Sequence, residues 1–222
     1  PSFNFPQVWR TSIGFDYKLP FDIDFTADFI YTKSLNDIYQ FDANMAPSDT
    51  MLFAGTAWER AGYTSSSARF NNSKVRNAIV LSNTNQGQGI SASFTLKKDF
   101  HNGLDLFVSY SYNNTMDITA NPGSQAASAW SGNAIIGSAL GQNQNTPYLS
   151  NSQYATPHRV VGAISYTKEY AKNFATTITL SYEGFNAGRF NYVYSSDINN
   201  DGIGNNDLIF IHKSADITFK EY

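Results

Sequence analysis

Between Gly89 and Asn114, apolar and polar residues alternate on both sides of a short break. Ile90, Ala92, Phe94 and Leu96 are interleaved with Ser91, Ser93, Thr95 and Lys97. After His101-Asn102-Gly103, Leu104, Leu106, Val108, Tyr110 and Tyr112 are interleaved with Asp105, Phe107, Ser109, Ser111 and Asn113. Successive strand side chains point to opposite faces, so each half predicts a strand with one apolar and one mostly polar face. The Asn-Gly step predicts a tight turn between them.

The same hairpin pattern occurs twice more. Over 8–33, Trp9, Thr11, Ile13, Phe15, Tyr17 and Leu19 share one face, and Pro20-Phe21-Asp22 turns the chain. Ile23, Phe25, Ala27, Phe29 and Tyr31 then alternate with Asp22, Asp24, Thr26 and Asp28. Several Asp on one strand face suit a wet lumen better than a soluble core. From 158 to about 194, Val160, Gly162, Ile164 and Tyr166 are answered by Phe174, Thr176, Ile178, Leu180 and Tyr182 across a turn at 170–173.

Residues 34–76, 117–157 and 195–207 are rich in Asn, Ser, Asp and Gly and are expected to be long loops, with a short helix around Trp130. Leu208 to Ile211 are expected to start a further strand. The stretch from Asn77 to Asp99 reads either as two short strands turning at 85–89 or as one long strand with a Gly-marked bulge. Only the single strand puts every short turn on one side of the sheet and every long loop on the other, and it is the expectation adopted. Short turns on one side and long loops on the other are the pattern of an outer-membrane barrel, for which six strands are too few to close. The expected fold is therefore all-β: antiparallel up-and-down strands forming an incomplete piece of a large transmembrane β-barrel. A soluble antiparallel sandwich, with core and solvent faces, is the competing architecture.

Composition narrows the function classes. The chain has 222 residues, of which 41% are hydrophobic and only 15% charged, against roughly 25% charged in soluble domains. Aromatics reach 15%, mostly Tyr and Phe. Trp9, Tyr31, Tyr110, Tyr112, Tyr166 and Tyr182 lie near strand ends, as interfacial girdles require. A net charge of −3 gives no basic patch for nucleic acid. The lack of Cys removes disulfides and thiolate chemistry. No apolar run approaches the ~20 residues of a membrane helix, whereas barrel strands need only ~9–11. The chain opens at Pro1-Ser2-Phe3, with neither an initiating Met nor a signal-peptide pattern, and is read as a piece of something longer.

Several short segments occur in order along the chain: Phe5-Pro6-Gln7-Val8-Trp9-Arg10-Thr11, Ile30-Tyr31-Thr32-Lys33, Ile79-Val80-Leu81-Ser82-Asn83-Thr84-Asn85, Val108-Ser109-Tyr110-Ser111-Tyr112, Pro157-His158-Arg159-Val160, and Tyr192-Val193-Tyr194-Ser195-Ser196-Asp197-Ile198-Asn199-Asn200-Asp201-Gly202. In these the chain resembles the C-terminal barrel region of TonB-dependent outer-membrane receptors of Bacteroidetes, the SusC-like and Oar-like branch. The resemblance implies that 1–222 is part of the wall of a 22-stranded barrel, with the plug, the TonB box and the last strands lying elsewhere. It implies nutrient uptake, of an oligosaccharide or peptide, at the bacterial outer membrane. The implied partners are outer-membrane lipid, the rest of the barrel and plug, the TonB complex, and a surface lipoprotein lid.

Two groups of residues are candidate sites. Asp197, Asn199, Asp201 and Gly202 follow the D-x-N-x-D-G order of a calcium loop, in which oxygens converge on a hard cation and Gly permits the turn. Asn205 and Asp207 extend the set. Leu208 stands where a bidentate acid belongs, so an Asn/Asp/Gly turn without an ion is the alternative. Trp58, Tyr63, Trp130 and Tyr148 lie in the long loops, where they either stack on a ligand or anchor the loops on one another. Catalysis finds little support. His101, His158 and His212 are dispersed, and no Ser lies in G-x-S-x-G. The Asp16, Asp22, Asp24 and Asp28 group is explained by solvation alone. Asn71-Asn72-Ser73 and Asn113-Asn114-Thr115 are glycosylation acceptors only in a glycosylating host.

Overall fold

A computed structural model describes residues 3–56, 58–135 and 137–209. The chain forms β1 (Gln7–Leu19), β2 (Ile23–Asp42), β3 (Thr50–Leu52), β4 (Arg60–Gly62), β5 (Ile79–Thr84), β6 (Gln88–Asp99), β7 (Leu104–Asp117), α1 (Ala126–Ser131), β8 (Ser150–Asn151), β9 (His158–Ala171) and β10 (Phe174–Phe185). The main sheet runs in the order β1-β2-β6-β7-β9-β10, with β5 on β2 and β8 on β7. Every pairing in it is antiparallel. The fold is all-β and up-and-down, and among the described residues the sheet does not close on itself.

The expected single strand over 77–99 is observed. β5 and β6 both pair with β2 antiparallel and in one register, Asp42↔Ile79 through Lys33↔Gln88 to Ile23↔Lys98, so the chain does not reverse. Residues 85–87 interrupt it opposite a matching irregularity in β2. There Val8 pairs with Ser34 and Gln7 with Asn36, leaving Leu35 unopposed. An unopposed residue flips the side-chain alternation. For that reason residues 34–42, expected as loop, lack period-two patterning yet continue β2 as strand.

The turns at 20–22, 100–103 and 172–173 lie at one end of the sheet, and the long connections leave the other. At the central turn, Asp99 Oδ1 accepts the His101 N–H at 2.6 Å and Asn102 Oδ1 accepts that of Leu104 at 3.2 Å. Gly103 there has φ +85°, and a Cβ would lie 2.2 Å from the Thr167 carbonyl oxygen, so only glycine fits.

The registers place all the alternating apolar residues on one continuous face. One row runs Phe25, Leu96, Val108, Gly162 and Tyr182, and the neighbouring one Ala27, Phe94, Tyr110, Val160 and Gly184. Ile90, Phe94, Leu96, Leu106, Val108 and Tyr110 share this face as the alternation predicts. The opposite face carries hydroxyl and charged pairs: Asp16–Thr26 at 2.7 Å, Thr95–Ser109 at 2.9 Å, Ser165–Thr179 at 2.9 Å, and Arg159–Glu183 at 2.6 Å. Among the described residues no second layer covers the apolar face. Ile13 is 68% exposed, Ile178 70% and Leu180 72%. A sandwich buries that face between two sheets about 10 Å apart, and the described residues contain no such partner, since the remaining two-stranded sheet, β3-β4, belongs to a long loop.

Two boundaries differ from expectation. β10 ends at Phe185 rather than near 194, because its partner β9 begins at His158 and the Asn186 N–H closes on the His158 carbonyl at 3.0 Å. Leu208 makes a single bridge to Val193; Phe210, Ile211 and His212 lie outside the described residues. No helix among the described residues is long and apolar enough to cross a membrane.

Candidate functional site

The three long loops fold onto one another. Met45 and Tyr63 from the first and Trp130 from the second form the buried cluster, with Ala68, Ile79 and Ile203 packed against it. The helix α1 delivers Trp130, whose Nε1–H donates to Asn145 Oδ1 at 3.0 Å. Tyr63 donates its hydroxyl hydrogen to the Ala46 carbonyl at 2.6 Å and accepts from Asn143 at 3.2 Å. Burial pushes the Tyr63 hydroxyl up to about 12. Backbone bonds stitch the loops together: Ala61 N–H to Gly137 O at 2.7 Å, Tyr63 N–H to Asn199 O at 2.8 Å, and Ile135 N–H to Asn206 O at 2.8 Å.

The proposed aromatic platform therefore divides. Tyr63 is 1% and Trp130 2% exposed, so these rings anchor loops and present no stacking surface. Trp58 and Tyr148 are exposed, and the Tyr148 hydroxyl bonds Gln142 Oε1 at 3.0 Å.

In the acidic loop, Asp197 accepts the Asp201 N–H at 3.1 Å and the Gly202 N–H at 2.8 Å. Asn199 Oδ1 also accepts from Asp201 N–H, at 2.9 Å. Asp201 Oδ1 accepts the Ile203 N–H at 2.8 Å, while its Oδ2 accepts from Asn206 at 2.7 Å and from Asn199 at 3.2 Å. Burial pushes the Asp201 carboxyl up to about 6, against the pull of these donors. Asp207 lies within electrostatic reach of Asp197 and Asp201. Its Oδ1 meets Arg60 Nη1 at 3.2 Å and its Oδ2 accepts the Ile198 N–H at 3.0 Å. Burial raises Asp207 as well, opposed by Ile198 and Arg60. Asn205 takes a left-handed turn conformation, φ +62°. The six residues share one loop, in which Asp197, Asn199 and Asp201 are joined by hydrogen bonds; among the described residues no group of three or more His, Cys, Asp or Glu side chains is placed to hold a metal ion. Side-chain-to-backbone bonds hold the loop's turn.

Sequence reasoning missed Arg60, which joins the first loop to the third. It is 1% exposed, donates from Nη2 to the Leu208 carbonyl at 2.6 Å, and lies 5.2 Å from the Tyr194 ring centroid. It also missed three buried amides: Asn143, which ties the second loop to Ala46 and Tyr63 of the first, and Gln144 and Asn206, which join the second loop to the third. The only available signal was the density of Asn and Gln in segments too apolar-poor to form an ordinary core.

Beneath the loops, on the polar face, lies a crevice of about 410 Å³ bounded by β1, β2, β6 and β7. Comparison with protein-family models, with curated proteins and with solved structures finds no match to this chain.

Proposed function

We propose that this chain is a section of the wall of a TonB-dependent outer-membrane barrel that imports a nutrient such as an oligosaccharide or peptide. Its apolar face meets lipid, its polar face lines the lumen, and its loops lie outside the cell. The observation that carries the reading is the apolar face itself, continuous over six strands and uncovered. Exposed apolar surface of that extent marks a membrane or interaction site. The dimensions agree. From Trp9 to Leu19, β1 spans about 34 Å at ~3.4 Å per residue, and a tilt of ~40° reduces that to about 26 Å along the normal, close to the ~25 Å apolar band of such barrels. The sidedness of turns and loops fits the same class, and the segments from Phe5 to Gly202 that resemble the SusC-like and Oar-like branch supply the transport assignment. Surface adhesion without transport is the alternative.

The test introduces Arg at Phe94 and, separately, at Ser93 in the full-length gene product, and measures folded barrel by heat-modifiable gel mobility. Arg at a lipid-facing midplane position costs ~2–4 kcal/mol, so Phe94→Arg should lose folded protein and Ser93→Arg should retain it. Equal loss from both refutes the face assignment. Uptake, measured in cells expressing the Ser93→Arg variant and a deletion control, separates import from adhesion.

A further inference from the structure

We propose that the turn-side rim of the apolar face binds the phosphate of an anionic phospholipid headgroup, held by the Lys98 ammonium beside the rings of Phe21 and Phe100. The inference rests on the lipid-facing reading of that face and adds which class of lipid it selects and where.

The sheet sorts its charges by face. In β1, β6, β7, β9, β10 and the part of β2 below the bulge, every acidic residue from Asp16 to Glu183 falls on the polar face. The lysines of the apolar face are Lys33, Lys98 and Lys168, and no carboxylate of these strands shares it. On the polar face a lysine has an acidic neighbour: Asp24 stands opposite both Lys18 and Lys97, and meets Lys18 Nζ at 3.5 Å. Lys98 stands opposite Ile23 and Leu106 instead. Among the described residues it has no ion-pair partner, Asp22 of the adjacent turn included.

The head of Lys98 is held in place. Lys98 is the second-last residue of β6, and Ile23 opposite it follows the turn at 20–22, so two hairpin turns flank it. A lysine on an apolar face lays its stem along that face and carries its charge to the edge. Here Nζ donates to the Phe21 carbonyl at 2.6 Å and lies 4.9 Å from the Phe100 ring centroid and 6.0 Å from that of Phe21. Phe21 has φ +67°, a left-handed conformation that a bulky residue keeps only when its surroundings hold it, and the Lys98 bond fixes the carbonyl of this turn. Both rings are exposed, Phe21 at 82%. Aromatic rings beside a lysine at the end of a lipid-facing strand mark the headgroup level. An ammonium has three N–H donors; one is spent on Phe21, and among the described residues the others meet no acceptor. A phosphate ester at this level accepts them.

The sorting of charge decides between lipids. A zwitterionic headgroup brings an ammonium of its own, for which the strands offer no carboxylate on this face. An anionic headgroup brings none, and a lysine near the membrane surface favours it by about fivefold.

The test places a bimane fluorophore at Leu106→Cys, beside Lys98, in an otherwise Cys-free full-length gene product. The protein is reconstituted in phosphatidylcholine and phosphatidylglycerol at equal mole fraction, with bromine on the acyl chains of one lipid and then of the other. A second reporter at Ala27→Cys, opposite Phe15 and Phe94 on the same face, is the control. Brominated phosphatidylglycerol should quench the Leu106 reporter as a lipid favoured about fivefold, while both lipids quench the control alike. Lys98→Gln, which keeps a donor for the Phe21 carbonyl, should abolish the preference, and Lys98→Arg should retain it. Equal quenching by the two lipids at Leu106, or a preference that survives Lys98→Gln, overturns the proposal and leaves the lipid-facing reading standing. A preference lost equally in Lys98→Arg traces it to the packing of the turn and not to charge, and also overturns it. No quenching by either lipid at either reporter overturns the lipid-facing reading, and this proposal with it.

Discussion

Replacing Arg60 by Ala should release the third loop from the first. The Arg60 and Asp207 side chains are 2% and 1% exposed and meet at 3.2 Å. Truncation removes the partner of a fully buried carboxylate and the donor to the Leu208 carbonyl together. Breaking a buried pair from one side costs about 3–5 kcal/mol, because the remaining charge stays desolvated. At about 1.4 kcal/mol per factor of ten, local opening of residues 193–208 should become at least about a hundredfold more frequent. Hydrogen exchange followed by mass spectrometry reads this directly on peptides covering 58–64 and 193–208. The double variant Arg60→Met, Asp207→Asn should regain much of the protection. It removes both charges, keeps a carbonyl oxygen for the Ile198 N–H, and fills the Arg60 volume with an apolar chain. Unchanged exchange of 193–208 in Arg60→Ala, or a double variant no better than the single one, would refute the assignment of this pair as the tie between the loops.

Two further outcomes follow from particular residues. Asp201 titrates near 6 in the folded loops, above its ordinary 3.8; the raised value means that the stability from its protonated form is fully present below about 3.8 and is lost as pH rises through about 6. Exchange of 197–207, corrected for the intrinsic pH dependence, should therefore be slower at pH 5 than at pH 7.5, and Asp201→Asn should flatten the difference. The buried Asn206 Oδ1, without a partner among the described residues, can accept the added proton's hydrogen bond once that amide turns over. Gly103→Ala should lower the chemical-denaturation midpoint, since its φ of +85° and the 2.2 Å approach to the Thr167 carbonyl force a backbone shift costing about 1–3 kcal/mol; an unchanged midpoint would show that the turn relaxes freely.

The sheet was legible because period-two alternation survives wherever one face meets an apolar medium and the other water. Ile90 to Leu96 and Leu104 to Tyr112 show it plainly, and their register follows. Legibility failed where the alternation broke. One unopposed residue, Leu35, hid the upper half of β2. The loop unit was legible only as aromatics embedded in polar sequence. Tyr63 and Trp130 were found, but whether they faced a ligand or one another depended on contacts between segments far apart in the chain, such as Trp130 with Asn145 and Tyr63 with Asn143. Arg60 and Asp207 were invisible as a pair for the same reason, being separated by 147 positions. The calcium pattern was legible by spacing, whereas the N–H bonds that the Asp197, Asn199 and Asp201 oxygens accept within the loop were not.

The most direct test of the lipid-facing assignment uses two rows of neighbouring positions. Leu106, Ile164 and Leu180 lie side by side on the apolar face, and Asp105, Ser165 and Thr179 side by side on the polar one. The chain has no Cys, so a single Cys at each position can carry a nitroxide label in the full-length gene product reconstituted in bilayers. Collision with oxygen and with a water-soluble nickel chelate then reports each side chain's surroundings. The first row should favour oxygen over the chelate and the second should not. Equal accessibility of both rows to the chelate would contradict a lipid-facing wall.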